Sequence, residues 1–187
     1  DEHHRAVVGD IKEGWNTLSQ CGKFHALLVT RSIPEAIEYY RLFREMMPEL
    51  NLTALFDPTI DNVDGAIYKE DGLVEILEGY NEMFGLAFTI PTHAQFKVDV
   101  SLRLAHKEPY NRIELGPKKQ INLLIVVNQM LTGFDSKWIN TLYIDKMMEY
   151  ENIIQAFSRT NRLFGPDKPF GIIRYYRRPH TMKRNVD

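Results

Sequence analysis

The sequence predicts an α/β domain in which helices flank a mainly parallel sheet. Five short apolar runs recur along the chain, and helical patterns lie between them. Each run is apolar at consecutive rather than alternating positions, which is typical of parallel strands covered on both faces. Strands that alternate with helices predict one doubly wound domain. The runs span residues 26–29, 52–56, 123–127, 142–144 and 170–173.

The helices are predicted from capping signals and apolar spacing. A weak helical pattern covers the first twenty residues and predicts a helix that enters the domain. Ser32 and Glu35 form a capping-box signal after the first strand, and Pro48 closes the apolar pattern that follows. A third helix is predicted from near Asp71 to about Gly85, and a fourth within residues 91–105. Residues 58–71 and 107–119 are rich in turn formers and are predicted as loops.

Bulk properties limit the classes of function. The chain has 187 residues, 44% of them hydrophobic and 26% charged, with a formal net charge of −2. Its length suits one sizeable core, and its charge excludes a global basic field, so nucleic-acid contacts would come from local patches. The longest apolar run is too short to cross a bilayer, so no membrane contact is predicted. Cys21 is the single cysteine, predicted as a partly buried packing residue; without a disulfide, we expect a cytoplasmic location.

The most informative motif is the segment 155–162. It places Gln155, Arg159 and Arg162 at spacings of four and three, so the three side chains share one face of a helix. Ile153 and Phe157 fall on the opposite face, where a sheet can bury them. A helix with an apolar back and a cationic front suits a polyanion. The alternative is an amphipathic helix whose arginines face water.

A second motif, Thr132-Gly133-Phe134-Asp135, follows the apolar run 123–127. Gly133 permits a sharp turn or a close approach to a ligand, and the Asp135 carboxylate can bind a ribose hydroxyl or hold an arginine. The alternative is an ordinary strand-to-helix turn, where Gly and Asp are common.

Thr30 and Arg31 end the first strand just before a capped helix. Helix N-termini offer free N–H groups to phosphate, and Arg31 adds a cation. The alternative is an ordinary helix cap.

The segments 126–135, 141–146 and 155–162 together resemble the restriction (R, motor) subunit of type I restriction-modification enzymes, from roughly residue 24 to residue 178. Two of them resemble motifs V and VI of superfamily-two helicases and translocases. The last family motif reads Gln, two residues, Gly, Arg, two residues, Arg. Ser158 stands in place of its Gly. The added Cβ puts the local fit of this helix against its neighbour in doubt.

The resemblance implies a three-layer RecA-like fold, the second such domain of a two-domain motor. It implies an entering helix or linker at residues 1–22, the motor domain at 23–178 and a basic tail at 179–187. Arg159 and Arg162 match the family's arginine fingers, which are its catalytic residues in this domain. Gln155 matches a polar position linked to the nucleotide.

Five further residues receive roles from the same resemblance. Gly133 and Asp135 match positions on the nucleotide side. Thr132 matches a contact to a DNA phosphate. Thr30 and Arg31 match the family's motif IV region, which touches the DNA backbone.

The function so implied is the C-terminal half of an ATP-dependent double-stranded DNA translocase, within an ATP-dependent type I site-specific deoxyribonuclease. The implied partners are duplex DNA, a first RecA-like domain and a nuclease domain of the same subunit, and methyltransferase and specificity subunits. ATP and Mg²⁺ are the implied cofactors, held mainly by that first domain, so we expect this chain alone to be inactive. Two alternatives stay open: a non-catalytic RecA-like interaction module and an RNA helicase domain.

Several sequence features do not add to the site. The chain has no GxxxxGK[ST] phosphate loop. Residues 1–4 carry the letters of a DExH box, but no apolar strand precedes them, and we interpret the match as coincidence. The histidines show no metal-ligand spacing, so the sequence predicts no metal site.

Overall fold

A computed structural model describes residues 1–57, 66–127, 137–146 and 172–177 of the chain. Five strands and four α-helices make up these parts. The strands are β1 (His25–Thr30), β2 (Leu52–Leu55), β3 (Leu123–Val127), β4 (Ile139–Asp145) and β5 (Ile172–Tyr175). The helices are α1 (Glu2–Leu18), α2 (Ile33–Met46), α3 (Ala66–Phe84) and α4 (His93–Ala105).

The strands form one sheet in the order β2-β3-β1-β4-β5, and every described pairing is parallel. This confirms the predicted α/β class with a mainly parallel sheet flanked by helices. The central strands β1, β3 and β4 are buried along their whole length, as continuous apolar runs predict. From β1 the chain crosses to β2 on one side of the sheet, whereas from β4 it continues to β5 on the other.

Helices α1, α2 and α3 lie side by side. Helix α1 begins after Asp1, whose carboxylate accepts the His3 N–H, and it buries Val7, Val8 and Ile11. Salt bridges join each helix to the next: Arg5 of α1 to Glu45 of α2, and Arg41 of α2 to Glu75 of α3. Exposed pairs of this kind contribute little to stability, so burial of the apolar faces holds the helices.

Helix α3 corrects one prediction. It begins at Ala66, so the loop predicted over residues 58–71 is wrong for its last six residues, and the expected start near Asp71 is too late. Its predicted end is confirmed, because Phe84 is the last helical residue and Gly85 has a φ of +66°. Residues 69–71 are charged and Gly72 follows, so the apolar spacing that predicts a helix appears only from Leu73 onward.

Helix α4 confirms the helix predicted within residues 91–105, and Phe96, Val100 and Leu104 are buried as expected. A short 3₁₀ turn, Ile90–Thr92, precedes it, and two more interrupt the loop predicted at 107–119. The guanidinium of Arg103 is buried and donates to the backbone oxygen of Lys119 at 2.8 Å.

Two smaller expectations are also decided. Cys21 is an exposed free thiol with a φ of +57°, so its predicted role as a partly buried packing residue is wrong. No helix among the described residues is both long enough and apolar enough to span a membrane.

Candidate functional site

The carboxyl ends of three neighbouring strands meet at one edge of the sheet. Thr30, the last residue of β1, is in register with Val127 at the end of β3 and with Asp145 at the end of β4. After β1 the chain goes to β2 at one end of the strand order, and after β4 it goes to β5 at the opposite end. In open parallel sheets, ligands bind at such a switch point, outside the carboxyl ends of the strands. This edge is the candidate functional site.

Thr30 and Arg31 lie at this edge in different environments. The Thr30 side chain is fully buried, and its hydroxyl donates to the backbone oxygen of Val126 at 3.2 Å. The Arg31 side chain is 69% exposed, and its guanidinium lies 2.8 Å from Glu35 Oε1. Arg31 therefore offers a solvent-facing cation at the edge, while the hydroxyl of Thr30 points into the sheet.

Glu35 joins the cap of α2 to two arginines. Ser32 Oγ accepts from the Glu35 N–H at 3.4 Å, as the capping signal predicts. The Glu35 carboxylate accepts from the N–H of Arg31 at 3.3 Å, one residue before the position that a capping box uses. Glu35 is buried, and its Oε1 also lies 3.4 Å from Arg177 Nη2. The carboxylate thus links the start of α2 to the residue pair after β5.

Asp145 is the centre of the polar contacts. Its side chain is fully buried at the end of β4. One carboxylate oxygen lies 2.8 Å from His3 Nε2 and accepts from Arg177 Nε at 2.9 Å, while the other accepts from the Tyr39 hydroxyl. Burial by itself raises the pKa of Asp145, but the hydrogen bonds from His3 and Tyr39 and the nearby positive charges outweigh it, and the pKa is lowered. Asp145 is therefore held as a carboxylate.

His4 fills the space between these carboxylates. Its side chain is 3% exposed, with Nδ1 at 2.8 Å from Glu38 Oε2 and Nε2 at 3.7 Å from Glu35 Oε1. Nε2 also lies 3.8 Å from Asp145 Oδ2. Nδ1 is within hydrogen-bond distance of Glu38, whereas Nε2 has no hydrogen-bond partner. His4 thus brings α1 against α2 and β4 through polar atoms rather than through apolar packing.

The whole arrangement is a buried polar cluster, here called the edge cluster. It draws one or two residues from each of α1, α2, the end of β4 and the segment after β5. Because each carboxylate contacts several donors, the cluster holds these four elements in one fixed arrangement beside the switch point. Its members are His3, His4, Glu35, Tyr39, Asp145 and Arg177.

Comparison with known proteins identifies the family of the chain. The family model described as "Type I restriction enzyme subunit R domain 3" matches residues 22–178. The chain belongs to this family.

Curated relatives agree over the whole chain. The type I restriction enzyme SauMRSORF196P endonuclease subunit of Staphylococcus aureus (strain MRSA252) is 35% identical over 100% of this chain and 20% of its own length. The SsaAORF53P endonuclease subunit of Staphylococcus saprophyticus is 32% identical over the same shares. The chain therefore spans about a fifth of the curated relatives it matches. A solved structure, the C-terminal part of the Fun30 ATPase domain, aligns over 89% of this chain and 39% of that chain at 11% identity, with a TM-score of 0.49, too low to support an argument.

Most of the site residues predicted for this family member lie outside the described residues. The structure describes Thr30 and Arg31 at the candidate edge, and their contact to DNA stays a prediction. In the sequence, three of the other six come after Val127, the end of β3, and three come after Asp145, the end of β4. Those six are Thr132, Gly133, Asp135, Gln155, Arg159 and Arg162.

The edge cluster contains residues that sequence reasoning did not assign to a site. Asp145 carried one signal, because a carboxylate directly after a predicted strand lies at the working edge of a parallel sheet. His4, Glu35 and Arg177 carried none, since nothing local distinguishes them from helix-capping or surface residues. Only the packing of α1 and the segment after β5 brings them to Asp145.

Proposed function

We propose that the chain is the C-terminal half of the double-stranded DNA translocase motor of a type I restriction endonuclease, driven by ATP. The observation that supports this most strongly is the common edge at which β3, β1 and β4 end in register. Thr30 and Arg31 lie at this edge, and in the sequence the other motif residues come after Val127 and after Asp145. Membership of the subunit R family supports a motor role for this edge.

The proposed catalytic residues are Arg159 and Arg162, acting as arginine fingers. Phosphoryl transfer places negative charge on the γ-phosphate oxygens, and a guanidinium stays charged and offers forked donors to them. The fingers act across a cleft, on a nucleotide held by another domain. Such a finger contributes roughly 10³–10⁵ in rate.

The nucleotide and DNA roles fall on residues of the same segments. Gln155, Gly133 and Asp135 are proposed to face the nucleotide, and Thr132 a DNA phosphate. Because β3 and β1 end at the same edge, the nucleotide and DNA contacts are proposed to be coupled there.

DNA contact at the end of β1 is proposed to come mainly from Arg31. Its exposed guanidinium supports a phosphate contact, because a solvent-facing cation needs little rearrangement to reach one. The Thr30 hydroxyl is turned toward Val126, so its part in DNA binding is proposed to come from its backbone.

ATP and Mg²⁺ are proposed to bind mainly to a first RecA-like domain of the same subunit. The sequence lacks a triphosphate loop, and the exposed cation Arg31 fits a phosphate contact rather than a complete nucleotide site. When bound, Mg²⁺·ATP supplies the phosphoryl group whose charge the arginines stabilise. A nuclease domain of the subunit and separate methyltransferase and specificity subunits are the further proposed partners.

The experiment is an arginine substitution in the full-length subunit. Arg162→Ala is expected to lower ATP turnover stimulated by duplex DNA by about 10³-fold or more, with ATP binding retained, because a finger acts on the transition state. Arg112→Ala is the matched control, since Arg112 is exposed in the loop between α4 and β3. ATP turnover is measured with duplex DNA and with duplex RNA.

The outcomes separate the functions. Loss in Arg162→Ala but not in Arg112→Ala, with stimulation by DNA, supports the translocase. Near-normal turnover in Arg162→Ala refutes the finger. Stimulation by RNA alone indicates an RNA helicase, and no turnover in the unaltered subunit indicates a non-catalytic module.

A further inference from the structure

His4 is a buried imidazole whose Nε2 has no hydrogen-bond partner, in a setting that supplies the ligands of a metal ion. Its side chain is 97% buried, and Nε2 makes no hydrogen bond. Nε2 points between Glu35 Oε1, at 3.7 Å, and Asp145 Oδ2, at 3.8 Å. An unsatisfied polar group at this depth costs about 1–3 kcal/mol, so its persistence calls for a physical explanation.

The spacing of these three atoms suits one small cation. One ligand atom from each of His4, Glu35 and Asp145 lies within 4.8 Å of the other two. Zinc bonds of about 2.0–2.2 Å to nitrogen and oxygen place tetrahedral ligands about 3.3–3.5 Å apart. Both measured distances exceed this range by only a few tenths of an ångström, which side-chain rotation can close.

The surroundings match the second layer of contacts found around metal ligands. A ligating histidine usually turns its other nitrogen toward a carboxylate, and His4 Nδ1 lies 2.8 Å from Glu38 Oε2. Ligating carboxylates are usually hydrogen-bonded themselves, and Asp145 accepts from Tyr39 and from Arg177. Arg177 contacts Asp145 through Oδ1 and Tyr39 donates to Oδ2, so Oδ2 keeps its second lone pair for the space near His4.

The charges around the space also leave room for a cation. Arg31 and Arg177 face the carboxylates of Glu35 and Asp145. Two more carboxylates approach His4 Nδ1, from Glu38 at 2.8 Å and from Asp1 at 3.6 Å. His3 adds one more basic side chain beside Asp145, so the carboxylates around the space still outnumber the basic side chains other than His4.

We propose that His4 Nε2, one oxygen of Glu35 and Asp145 Oδ2 bind a single divalent transition-metal ion, with Zn²⁺ as the favoured ion. A ligand set of one imidazole and two carboxylates suits such ions better than it suits Ca²⁺, which takes six to eight oxygens. The ion links α1, α2 and β4, because each supplies one ligand. Its binding requires neither ATP nor DNA, so it stands or falls independently of the proposed motor function.

The test measures metal binding by the chain after chelator treatment and dialysis. Zn²⁺ is titrated against a chromophoric indicator, and thermal unfolding is followed with and without Zn²⁺. The unaltered chain is expected to bind one equivalent and to melt at a higher temperature with Zn²⁺. His4→Gln is expected to weaken binding at least 100-fold and to abolish the shift, by removing the nitrogen ligand.

His93→Gln is the matched control, because His93 is also a buried histidine whose Nε2 lacks a hydrogen bond. It lies at the start of α4, away from the edge cluster, and is expected to bind Zn²⁺ like the unaltered chain. Equal loss in both variants would overturn the proposal, since it would show no preference for His4.

Two further outcomes decide the remaining cases. Absence of stoichiometric Zn²⁺ binding by the unaltered chain overturns the site and leaves His4 as an ion-pair partner of the carboxylates alone. If His4→Gln fails to fold, X-ray absorption of the Zn²⁺-loaded unaltered chain replaces it. One imidazole nitrogen and carboxylate oxygens at about 2.0–2.2 Å support the site, and a spectrum without imidazole overturns it.

Discussion

Replacing His25 with glutamine tests the contact between two buried histidines, His25 and His106. His25 begins β1, is fully buried, and has its Nε2 at 2.8 Å from His106 Nε2. The His106 ring stacks on Trp138 at 4.0 Å, and Glu114 lies 3.2 Å from His106 Nδ1. Lys137 is the other charge that acts on His106. Two imidazoles in this contact can share one proton, but a second proton would place like charges side by side.

Burial, with a smaller effect from the charge of His106, lowers the pKa of His25 from 6.5 to about 3. The folded chain therefore binds fewer protons at His25 than the unfolded chain between those two values. Stability contributed by this residue is complete above pH 6.5 and is lost as the pH falls toward 3. At pH 5 the linkage amounts to about 2 kcal/mol, because His25 is then mostly protonated when unfolded and neutral when folded. The pKa of His106 is also lowered, mainly by burial, and adds a loss of the same sign.

The assay is urea unfolding of the chain at a series of pH values from 7.5 to 5. His25→Gln keeps a donor for His106 Nε2 but does not titrate, so its free energy of unfolding should fall less over this range, by about 2 kcal/mol. Titration at residues away from the His25–His106 contact is common to both proteins and cancels in the difference. Parallel curves, agreeing within about 0.5 kcal/mol, would show that His25 is not held neutral by burial and would refute the reasoning.

Two further predictions concern a buried hydrogen bond and a close contact between two helices. Tyr39→Phe should lower the free energy of unfolding by about 1.5–3 kcal/mol, because buried Asp145 loses a hydrogen bond to its charged carboxylate; urea unfolding measures this, and a loss under 0.5 kcal/mol would contradict it. Gly79→Ala should cost about 1–3 kcal/mol, since its new Cβ would lie 2.1 Å from the buried Tyr40 hydroxyl oxygen. Gly9→Ala is the matched control within a helix: no atom lies within 4 Å of its new Cβ, so it should raise the melting temperature, with a gain of about 0.5–1 kcal/mol. A stabilising Gly79→Ala would show that α2 and α3 pack more loosely than described.

The strands were the most predictable part of the fold. All five predicted runs overlap described strands, and the first two residues of the run 170–173 lie outside the described residues. Strands buried on both faces, such as β1 and β3, must be apolar at consecutive positions. Their ends were less predictable. β4 begins at Ile139, three residues before the predicted apolar run. The prediction missed this start because Asn140 and Thr141 are polar, although both are buried in the structure.

The start of α3 shows the opposite failure. Residues 69–71 are charged, so no apolar spacing marked a helix before Leu73, and turn formers upstream favoured a loop. Gly72 lies close against α2, since a Cβ there would lie 2.4 Å from Ile37. Contact with α2 accompanies helical structure in a segment whose local pattern favoured a loop.

The candidate site divides in the same way. Thr30, Arg31 and Asp145 could be assigned to the working edge, because each follows directly from a recognisable strand. The rest of the edge cluster could not, because His3 contacts Asp145 across 142 residues and Arg177 contacts Glu35 across the same separation. No periodicity within a segment reports such a pairing.

By itself, the sequence determined the α/β class, the positions of the strands and most helices, and the resemblance that the family match confirms. These follow from spacing along the chain, where burial and capping leave a local pattern. Only the tertiary structure decided which strands are neighbours, which segments leave from one edge, and which polar side chains meet there. Those are properties of three-dimensional packing, in which α1 and the segment after β5 are brought to β4 by the burial of their apolar faces, and the polar contacts follow.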